Sequence, residues 1–537
     1  MRLGKLMIQG KVLIIGLDGA NFDLIKPLVK EGRLPTLGRF LENGTHGALL
    51  STHQSNSPQA WTSFMTGKNA GKHGIFDFVE PVPNSYDVRF VNASHRNGKT
   101  LWGLISDVGG KVGVLNVPMT FPAEEVNGCF VSGWDLPGTT QASVYPSGLL
   151  QEINENVSNY ILEPGVTDFI YKRMRDLAVS KMYESIENRF QAAKYLVKNK
   201  EWDFFAVVFT SIDLMQHYFR KFINPNHPHY DPEDKEGFGN AIYRVYQKLD
   251  KALNDLINEV SEDVTILIMS GHGGGSSSNK TFYINHWLAE QGFLRFTSGP
   301  VSVIDWGRTV AYSRENMPTI NINLKGREPK GTVESGDEYE KIRGDIVNRL
   351  LNLRCPQTNE PIVAKVLKKE EIYSGTFMDK APDLLIQWKN DAYVQRPSYT
   401  SKNGKWLQIL TNEELEWEET VSRPGGIHRR DGIFLALGKH IKQSFQIQDA
   451  NIVDLFPTVL FAMGIPIPED VDGRILTGIF KEDFIRHNQT KINRQQETAD
   501  YMQTQACTER SEPNESTYSD SEAALIEERL KGLGYIE

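Results

Sequence analysis

Short runs of apolar residues alternate with stretches of helical periodicity along most of the chain. Four runs predict strands buried on both faces, at residues 12–16, 111–116, 204–209 and 264–269. Each run is followed by a polar or glycine-rich turn and then by a helix-like stretch, which is typical of a parallel sheet covered by helices. We therefore predict an α/β fold with a mostly parallel central sheet and helices on both faces. In such sheets, functional residues lie on loops at the carboxyl ends of the strands.

The pattern changes between about residues 297 and 405, where the strands are shorter and only one clear helix appears. We predict that 297–405 is an inserted lid or cap subdomain, which divides the α/β core into 1–296 and 406–484. Residues 485–537 are mostly polar, which predicts a disordered tail with a short terminal helix.

Composition excludes several classes of protein. Of the 537 residues, 39% are hydrophobic, which excludes a mainly disordered or collagen-like chain. The net charge is -9, and no basic stripe offsets it, so nucleic-acid binding is not expected. The three cysteines are widely spaced, which predicts neither a disulfide framework nor a zinc finger and favours a cytoplasmic location.

The apolar runs are also too short to span a membrane, since a spanning helix needs about 18–20 apolar residues. The basic and apolar start of the chain could suggest a signal peptide, but Gln9 and Lys11 interrupt any apolar segment there. We interpret residues 11–17 as a buried first strand.

Two candidate site residues lie in the first part of the chain. Asp18 ends the first strand, where its carboxylate could bind a cation or simply make a turn. Pro58 suits the first position of a helix, which predicts Ser57 as the N-cap. A hydroxyl there faces the positive end of the helix dipole, which stabilises an alkoxide or a phosphate-like anion, although Ser57 could equally act only as a cap.

Three histidines and Asp213 complete the set of candidate site residues. Asp213 and His217 are four residues apart, so a helix would place both on one face, within reach of one metal ion. His272 follows a buried strand in a glycine run that could be a flexible turn, and His428 is predicted on a glycine-containing loop. Taken alone, each signal is modest. Together they predict one site at one edge of the sheet, and their ligand types suit zinc, manganese or iron(II).

The order of these motifs resembles the alkaline phosphatase superfamily, and most closely its type I phosphodiesterase/nucleotide pyrophosphatase branch. The resemblance rests on GLDGANFD, SPQAWTSFMTGKNAGKHGIFDF, TSIDLMQHYF, SGHGGG, GGIHRRDGIF and NIVDLFPTVLFAMGIPIPEDVDGR, in order over about residues 11–478. It implies an alkaline phosphatase-like fold and a metal-dependent hydrolase of phosphoric esters, acting on a small-molecule phosphate ester.

The resemblance also implies a role for each candidate. Ser57 would be the nucleophile and would form a phospho-serine intermediate. Asp213, His217 and His428 would bind one divalent metal ion. Asp18 and His272 would bind a second ion, which also contacts the Ser57 oxygen. Zinc is the favoured metal, with manganese or iron as alternatives.

The sequence departs from the family pattern at position 271, where the usual metal-ligand Asp is replaced by Gly271. A second departure is Phe78, near the place of a phosphate-binding Asn in nucleotide pyrophosphatases. The sulfatase signature is absent, since Gln59 and Trp61 occupy its positions. Two alternatives therefore stay open, namely a degenerate member that binds a phosphorylated ligand without efficient turnover and a phosphotransferase or mutase. The oligomeric state is not predicted.

Overall fold

The structure is a computed structural model that describes most of the chain. The described residues are 8–135, 138, 140–227, 229–233, 237–298, 303–314, 317–391, 393–396, 404–415, 425–488 and 518–532. Most of the polar tail predicted at 485–537 lies outside the described residues, as do the last residues of its terminal segment.

The described strands are short and number 21. They are β1 Val12–Leu17, β2 Thr45–Leu50, β3 Val79–Pro81, β4 Val88–Phe90, β5 Val112–Val117, β6 Gly128–Ser132, β7 Val144–Tyr145, β8 Phe204–Phe209, β9 Thr265–Met269, β10 Gly273–Ser276, β11 Lys280–Tyr283, β12 Ala311–Tyr312, β13 Thr319–Ile322, β14 Val363–Lys368, β15 Leu384–Trp388, β16 Val394–Arg396, β17 Leu407–Ile409, β18 Gly426–Arg429, β19 Asp431–Leu437, β20 Phe445–Gln446 and β21 Ala450–Asn451.

The α-helices range from a single turn to 25 residues. Within the described residues they are α1 Phe22–Lys30, α2 Pro35–Asn43, α3 Ser57–Thr66, α4 Ala70–His73, α5 Leu101–Asp107, α6 Leu149–Asn156, α7 Val166–Tyr171, α8 Arg175–Asn199, α9 Ser211–Phe219, α10 Phe238–Ile257, α11 Ile284–Glu290, α12 Asp337–Leu351, α13 Leu455–Met463 and α14 Asp520–Gly532.

The main sheet confirms the predicted fold class. Its strands follow the order β20-β2-β19-β9-β1-β8-β5-β6-β7. The four strands predicted from apolar runs are β1, β5, β8 and β9, and they are adjacent and parallel. Every residue of β1, β5 and β8 is buried, as expected for strands covered by helices on both faces. Their carboxyl ends therefore meet at one edge of the sheet.

An antiparallel strand inside the main sheet positions part of the site. The strand β19 is antiparallel to both β9 and β2. Immediately before it lies β18, which pairs antiparallel with the glycine strand β10. This pair stands at the carboxyl end of β9, and it brings the segment around residue 428 to the edge of the sheet where β1 and β8 end.

Apolar side chains form two large clusters. The first surrounds the main sheet, and the second includes residues between 282 and 407, on β11, β12–β15, α11 and α12. A small third cluster joins them, since Ala70 of α4 packs with Tyr373 and Ala381. No helix in the described part of the chain has the length and apolar character needed to cross a membrane.

Candidate active site

The structure brings all six predicted site residues to the carboxyl edge of the parallel strands. Asp18 directly follows β1, and His272 follows β9 after two residues. Asp213 and His217 lie on α9, the helix that follows β8, and His428 lies on β18. Ser57 is the first residue of α3.

Three of these residues form a compact group. The Nε2 atoms of His217 and His428 are 3.0 Å apart. Asp213 Oδ2 lies 3.4 Å from His217 Nε2, and Asp213 Oδ1 lies 3.3 Å from His428 Nε2. One ligand atom from each residue lies within 4.8 Å of the others, so the group could hold a metal ion. Two imidazoles with one carboxylate are a ligand set found at zinc sites.

The tautomer of His428 supports this arrangement. Its Nδ1 lies 2.9 Å from the backbone oxygen of Ser55, so Nδ1–H donates there and the Nε2 lone pair faces the group. Ser55 has a φ of 53°, a left-handed conformation that this polar residue adopts in the turn before α3. This contact could not be predicted from the sequence, because it joins two segments 373 residues apart.

The second group contains Asp18 and His272 together with Asp213. Their ligand atoms also lie within 4.8 Å of one another. His272 Nε2 is 3.0 Å from the Ser57 Oγ and 3.7 Å from Asp18 Oδ1. The His272 ring stacks on that of His428, with 3.6 Å between centroids. Asp213 is thus common to both groups.

Gly19 explains why Asp213 reaches Asp18. Its φ is +75°, and a Cβ on it would lie 2.7 Å from the Asp213 Cα. Only a residue without a side chain allows α9 to approach the end of β1 this closely. In the sequence, Gly19 was the only sign of a close approach after Asp18. The sequence could not show that Asp213 is the residue that approaches.

Burial sets the charge of these groups. Burial and the neighbouring charge of Asp213 raise the pKa of Asp18 well above its usual value. Burial also opposes ionisation of Asp213, but His217 and His428 outweigh it and hold the Asp213 pKa well below its usual value. Burial, followed by the charge of His428, lowers the pKa of His272 to about 3. Asp213 is therefore the ionised carboxylate that faces both groups.

The prediction that Ser57 is the N-cap of its helix is wrong. The cap is Asn56, whose side chain accepts a hydrogen bond from the Gln59 backbone N–H at 3.1 Å. The amide oxygen of Asn56 therefore does what the Ser57 hydroxyl was expected to do. As a result, Ser57 Oγ is directed to His272 instead of to the helix backbone.

The glycine run after His272 is not a flexible turn, and His428 is not on a loop. Residues Gly273–Ser276 form β10, in which Gly274 pairs with His428. A Cβ on Gly274 would lie 2.5 Å from Gln216 on α9, so the glycines let β10 pass close to that helix. The pairing with β18 fixes His428 opposite His217.

Comparisons with known proteins agree with this fold. The sequence model of the family described as type I phosphodiesterase/nucleotide pyrophosphatase matches residues 12–414. The chain belongs to this family. The matched segment contains five of the six candidate site residues, and His428 lies beyond its end. Among curated proteins, none matches the chain.

Solved structures similar to this one have low sequence identity. Phosphonoacetate hydrolase from Sinorhizobium meliloti, in complex with phosphonoformate, has a TM-score of 0.54 and 15% identity and covers 86% of this chain and 99% of its own. Murine ectonucleotide pyrophosphatase/phosphodiesterase 5, an inactive form in complex with AMP, has a TM-score of 0.50 and 14% identity and covers 86% of this chain and 96% of its own. These similarities show a shared fold. With the family match, they support a hydrolase of the phosphodiesterase/pyrophosphatase type.

Proposed function

We propose that the protein is a metal-dependent hydrolase of phosphoric esters, a phosphodiesterase with Ser57 as its nucleophile. One observation carries the proposal. The Ser57 hydroxyl at the start of α3 lies 3.0 Å from His272, in a site whose Asp213, His217 and His428 form a group able to hold a metal ion. A hydroxyl beside an imidazole and cation ligands is the arrangement of an activated nucleophile.

The proposed reaction has two displacements. The Ser57 oxygen attacks phosphorus and loses its proton, and the ester oxygen leaves with its substituent and takes up a proton. The phospho-serine that forms keeps any second ester substituent of the phosphorus. Water then attacks the same phosphorus, which releases phosphate or a phosphomonoester and restores the Ser57 hydroxyl. Ser57 is in the first turn of α3, so the positive end of the helix dipole faces the transferred group throughout.

The donor set of Asp213, His217 and His428 fits a divalent ion, and zinc suits two imidazoles with one carboxylate best. The resemblance to the family implies a second ion at Asp18 and His272, where Gly271 provides no ligand. A bound divalent ion supplies positive charge that stabilises the charge developing on the phosphoryl oxygens. The residues of the chain hold Ser57 beside the position of the phosphoryl group.

The proposed substrate is a small-molecule phosphate ester. The neighbour that binds AMP supports this class, and Phe78 is buried against Trp134 at 5.9 Å between ring centroids rather than offering a polar contact. We therefore do not propose nucleotides in particular as the substrate. A cytoplasmic location stays a prediction.

The test is hydrolysis of bis(4-nitrophenyl) phosphate by protein stripped of metal and then reloaded with Zn²⁺ or Mn²⁺. We expect turnover that depends on the metal and that is lost in Ser57→Ala. The matched control is Ser185→Ala, which removes a buried hydroxyl on α8, outside the site. Mass spectrometry of quenched reactions should find one added 4-nitrophenylphosphoryl group on the peptide that contains Ser57, because only one nitrophenolate leaves in the first displacement.

Turnover that is unchanged in Ser57→Ala would contradict the proposal. Absence of turnover with either metal would instead favour the degenerate, ligand-binding alternative. Transfer of the phosphoryl group to an added alcohol in preference to water would favour the phosphotransferase.

A further inference from the structure

Trp61 occupies the space that a side chain at position 271 would need. A Cβ on Gly271 would lie 2.8 Å from the Trp61 Nε1 and 3.0 Å from its Cε2. A Cβ on Gly16, in the neighbouring strand β1, would lie 2.7 Å from the Trp61 Cη2. These two glycines, one in β1 and one just after β9, thus form a slot that the indole fills.

The indole is fixed in this slot. Trp61 is fully buried on α3, and its ring meets that of Phe64 edge to face at 5.8 Å between centroids. Movement of the indole away from Gly271 would need a vacant space, and close-packed interiors do not offer one. Gly271 does not have the positive φ that disfavours other residues, so the obstacle to a side chain at 271 is the indole together with Asp18.

The indole also takes up part of the hydrogen-bonding capacity of Asp18. Its N–H donates to Asp18 Oδ1 at 3.2 Å. That same oxygen lies 3.1 Å from the position of a Cβ on Gly271 and 3.7 Å from His272 Nε2. The N–H therefore points at the oxygen that would otherwise face a cation held between Asp18 and His272. An N–H group aimed at a carboxylate partly replaces a cation there, because both stabilise its negative charge.

Asp213 does not supply a full replacement ligand. One of its oxygens faces His428 and the other faces His217, so both are already directed to the first group. An ion bound there uses Asp213 first. The second position is then left with His272, with the Ser57 oxygen and with Asp18, which accepts from the indole, so Asp18 is its only carboxylate.

We propose that this chain holds a single divalent ion, at Asp213, His217 and His428, and that the Trp61 indole N–H takes the place of the second ion beside Asp18. The inference rests on the proposed metal-dependent function. It makes Trp61 a positioning residue, which holds Asp18 without touching the substrate. Gly271 then accommodates the indole.

The first test is the number of ions bound per chain. Full-length protein is stripped with a chelator, reloaded with excess Zn²⁺, passed through gel filtration and analysed for zinc and for protein. We expect one zinc per chain in the native protein. Asp213→Asn should bind none, because the group with His217 and His428 then has no carboxylate. Asp18→Asn should still bind one.

Two zinc ions per native chain, falling to one in Asp18→Asn, would overturn the inference, and so would a native chain that binds none. The result is independent of turnover. A chain with one zinc and no hydrolysis of the phosphodiester contradicts the proposed function and leaves the single-ion inference standing. Two zinc ions per chain with normal turnover would contradict the single-ion inference and leave the proposed function standing.

A second test addresses the slot itself. Gly271→Asp alone should not add a second zinc, because the new side chain meets the indole. The double variant Gly271→Asp with Trp61→Phe removes the N–H and shortens the ring, and we expect it to bind two. A second zinc in Gly271→Asp alone would show that the indole does not block the position. Circular dichroism checks that each variant is folded.

Discussion

At the start of α3, two neighbouring residues have different roles. Asn56 caps the helix, and Ser57 is then available to His272 at 3.0 Å. Sequence rules located the helix start from Pro58 to within one residue. They could not decide between Asn56 and Ser57, because both types are good N-caps and the difference lies in a partner 215 residues away.

This division of roles predicts the effect of Asn56→Ala. Loss of the cap should lower the free energy of unfolding by about 1 kcal/mol. It should also lower kcat, because the first turn that carries Ser57 is no longer fixed. Urea unfolding and hydrolysis of bis(4-nitrophenyl) phosphate measure the two effects.

Thr100→Ala is the matched control, since Thr100 caps α5 through a hydrogen bond from the Gly103 N–H. It should cost similar stability with kcat unchanged. Equal loss of kcat in both variants would argue against a special role for Asn56.

A second histidine near this helix is structural. His73 is fully buried, its Nδ1 accepts from the Ile75 N–H at 3.2 Å, and its Nε2 therefore carries the proton donated to Ser63 Oγ at 3.0 Å. Burial, followed by the charges of Arg96 and Lys68, lowers its pKa from 6.5 to about 3. The folded protein keeps this imidazole neutral.

The pKa of His73 predicts how stability depends on pH. The unfolded chain takes up a proton near pH 6.5, whereas the folded chain does so only near pH 3. The contribution to stability is therefore complete above pH 6.5 and is lost as the pH falls, by at most about 1.4 kcal/mol per pH unit. Urea unfolding at pH 7, 6 and 5 should show a smaller decline in His73→Gln than in the native protein. His487→Gln, at an exposed position, should keep the native slope.

Among the elements, the paired strands β10 and β18 were the hardest to predict. Strands β1, β5, β8 and β9 are rich in β-branched and aromatic residues, and their apolar runs were sufficient to locate them. The run Gly273–Ser276 has no such residues and became a strand only because β18 pairs with it. Tertiary contacts decided that element, so local sequence could not.

The packing of β10 against α9 predicts that Gly274→Ala will disturb the metal group. The new Cβ would lie 2.5 Å from the Gln216 side chain and would push β10, with its partner His428, away from α9. We expect zinc affinity to fall roughly 10–100-fold, as for other changes that displace a ligand from outside. Competition with a chromogenic chelator measures it.

Gly344→Ala is the control for this substitution. Gly344 is exposed on α12, and a Cβ there meets nothing within 4 Å. This change should raise stability by about 0.5–1 kcal/mol and leave zinc affinity unchanged. Native zinc affinity in Gly274→Ala would mean that β10 does not position His428.

For the molecule as a whole, the terminal helix α14 adds to the main core. Ile526 and Leu530 are buried in the large apolar cluster, and Tyr518 stacks on Phe121. Arg529 donates a hydrogen bond to the Trp134 backbone oxygen. This attachment could not be predicted from the sequence. The segment before α14 is polar, and a short apolar helix face does not indicate what it packs against.

Two leucines of α14 offer a direct measure of its docking. Leu530 is 1% exposed and Leu525 is 52% exposed. Leu530→Ala should lower the free energy of unfolding by about 2–3 kcal/mol, because it leaves a cavity in the core. Leu525→Ala should stay within about 0.5 kcal/mol of the native value. Equal effects in urea unfolding would show that α14 is not part of the cooperative core.

The residues around Tyr373, which belongs to the small third apolar cluster, contact α3 directly. The Gln59 side chain, two residues after Ser57, donates a hydrogen bond to the Tyr373 hydroxyl at 3.1 Å, and Phe76 meets the Tyr373 ring edge to face. An evolutionary constraint follows. A graft that exchanges these residues for those of a relative must preserve the hydroxyl that supports α3. Variation in the residues around Tyr373 is therefore compatible with an intact α3 only where the hydroxyl contact with Gln59 is kept.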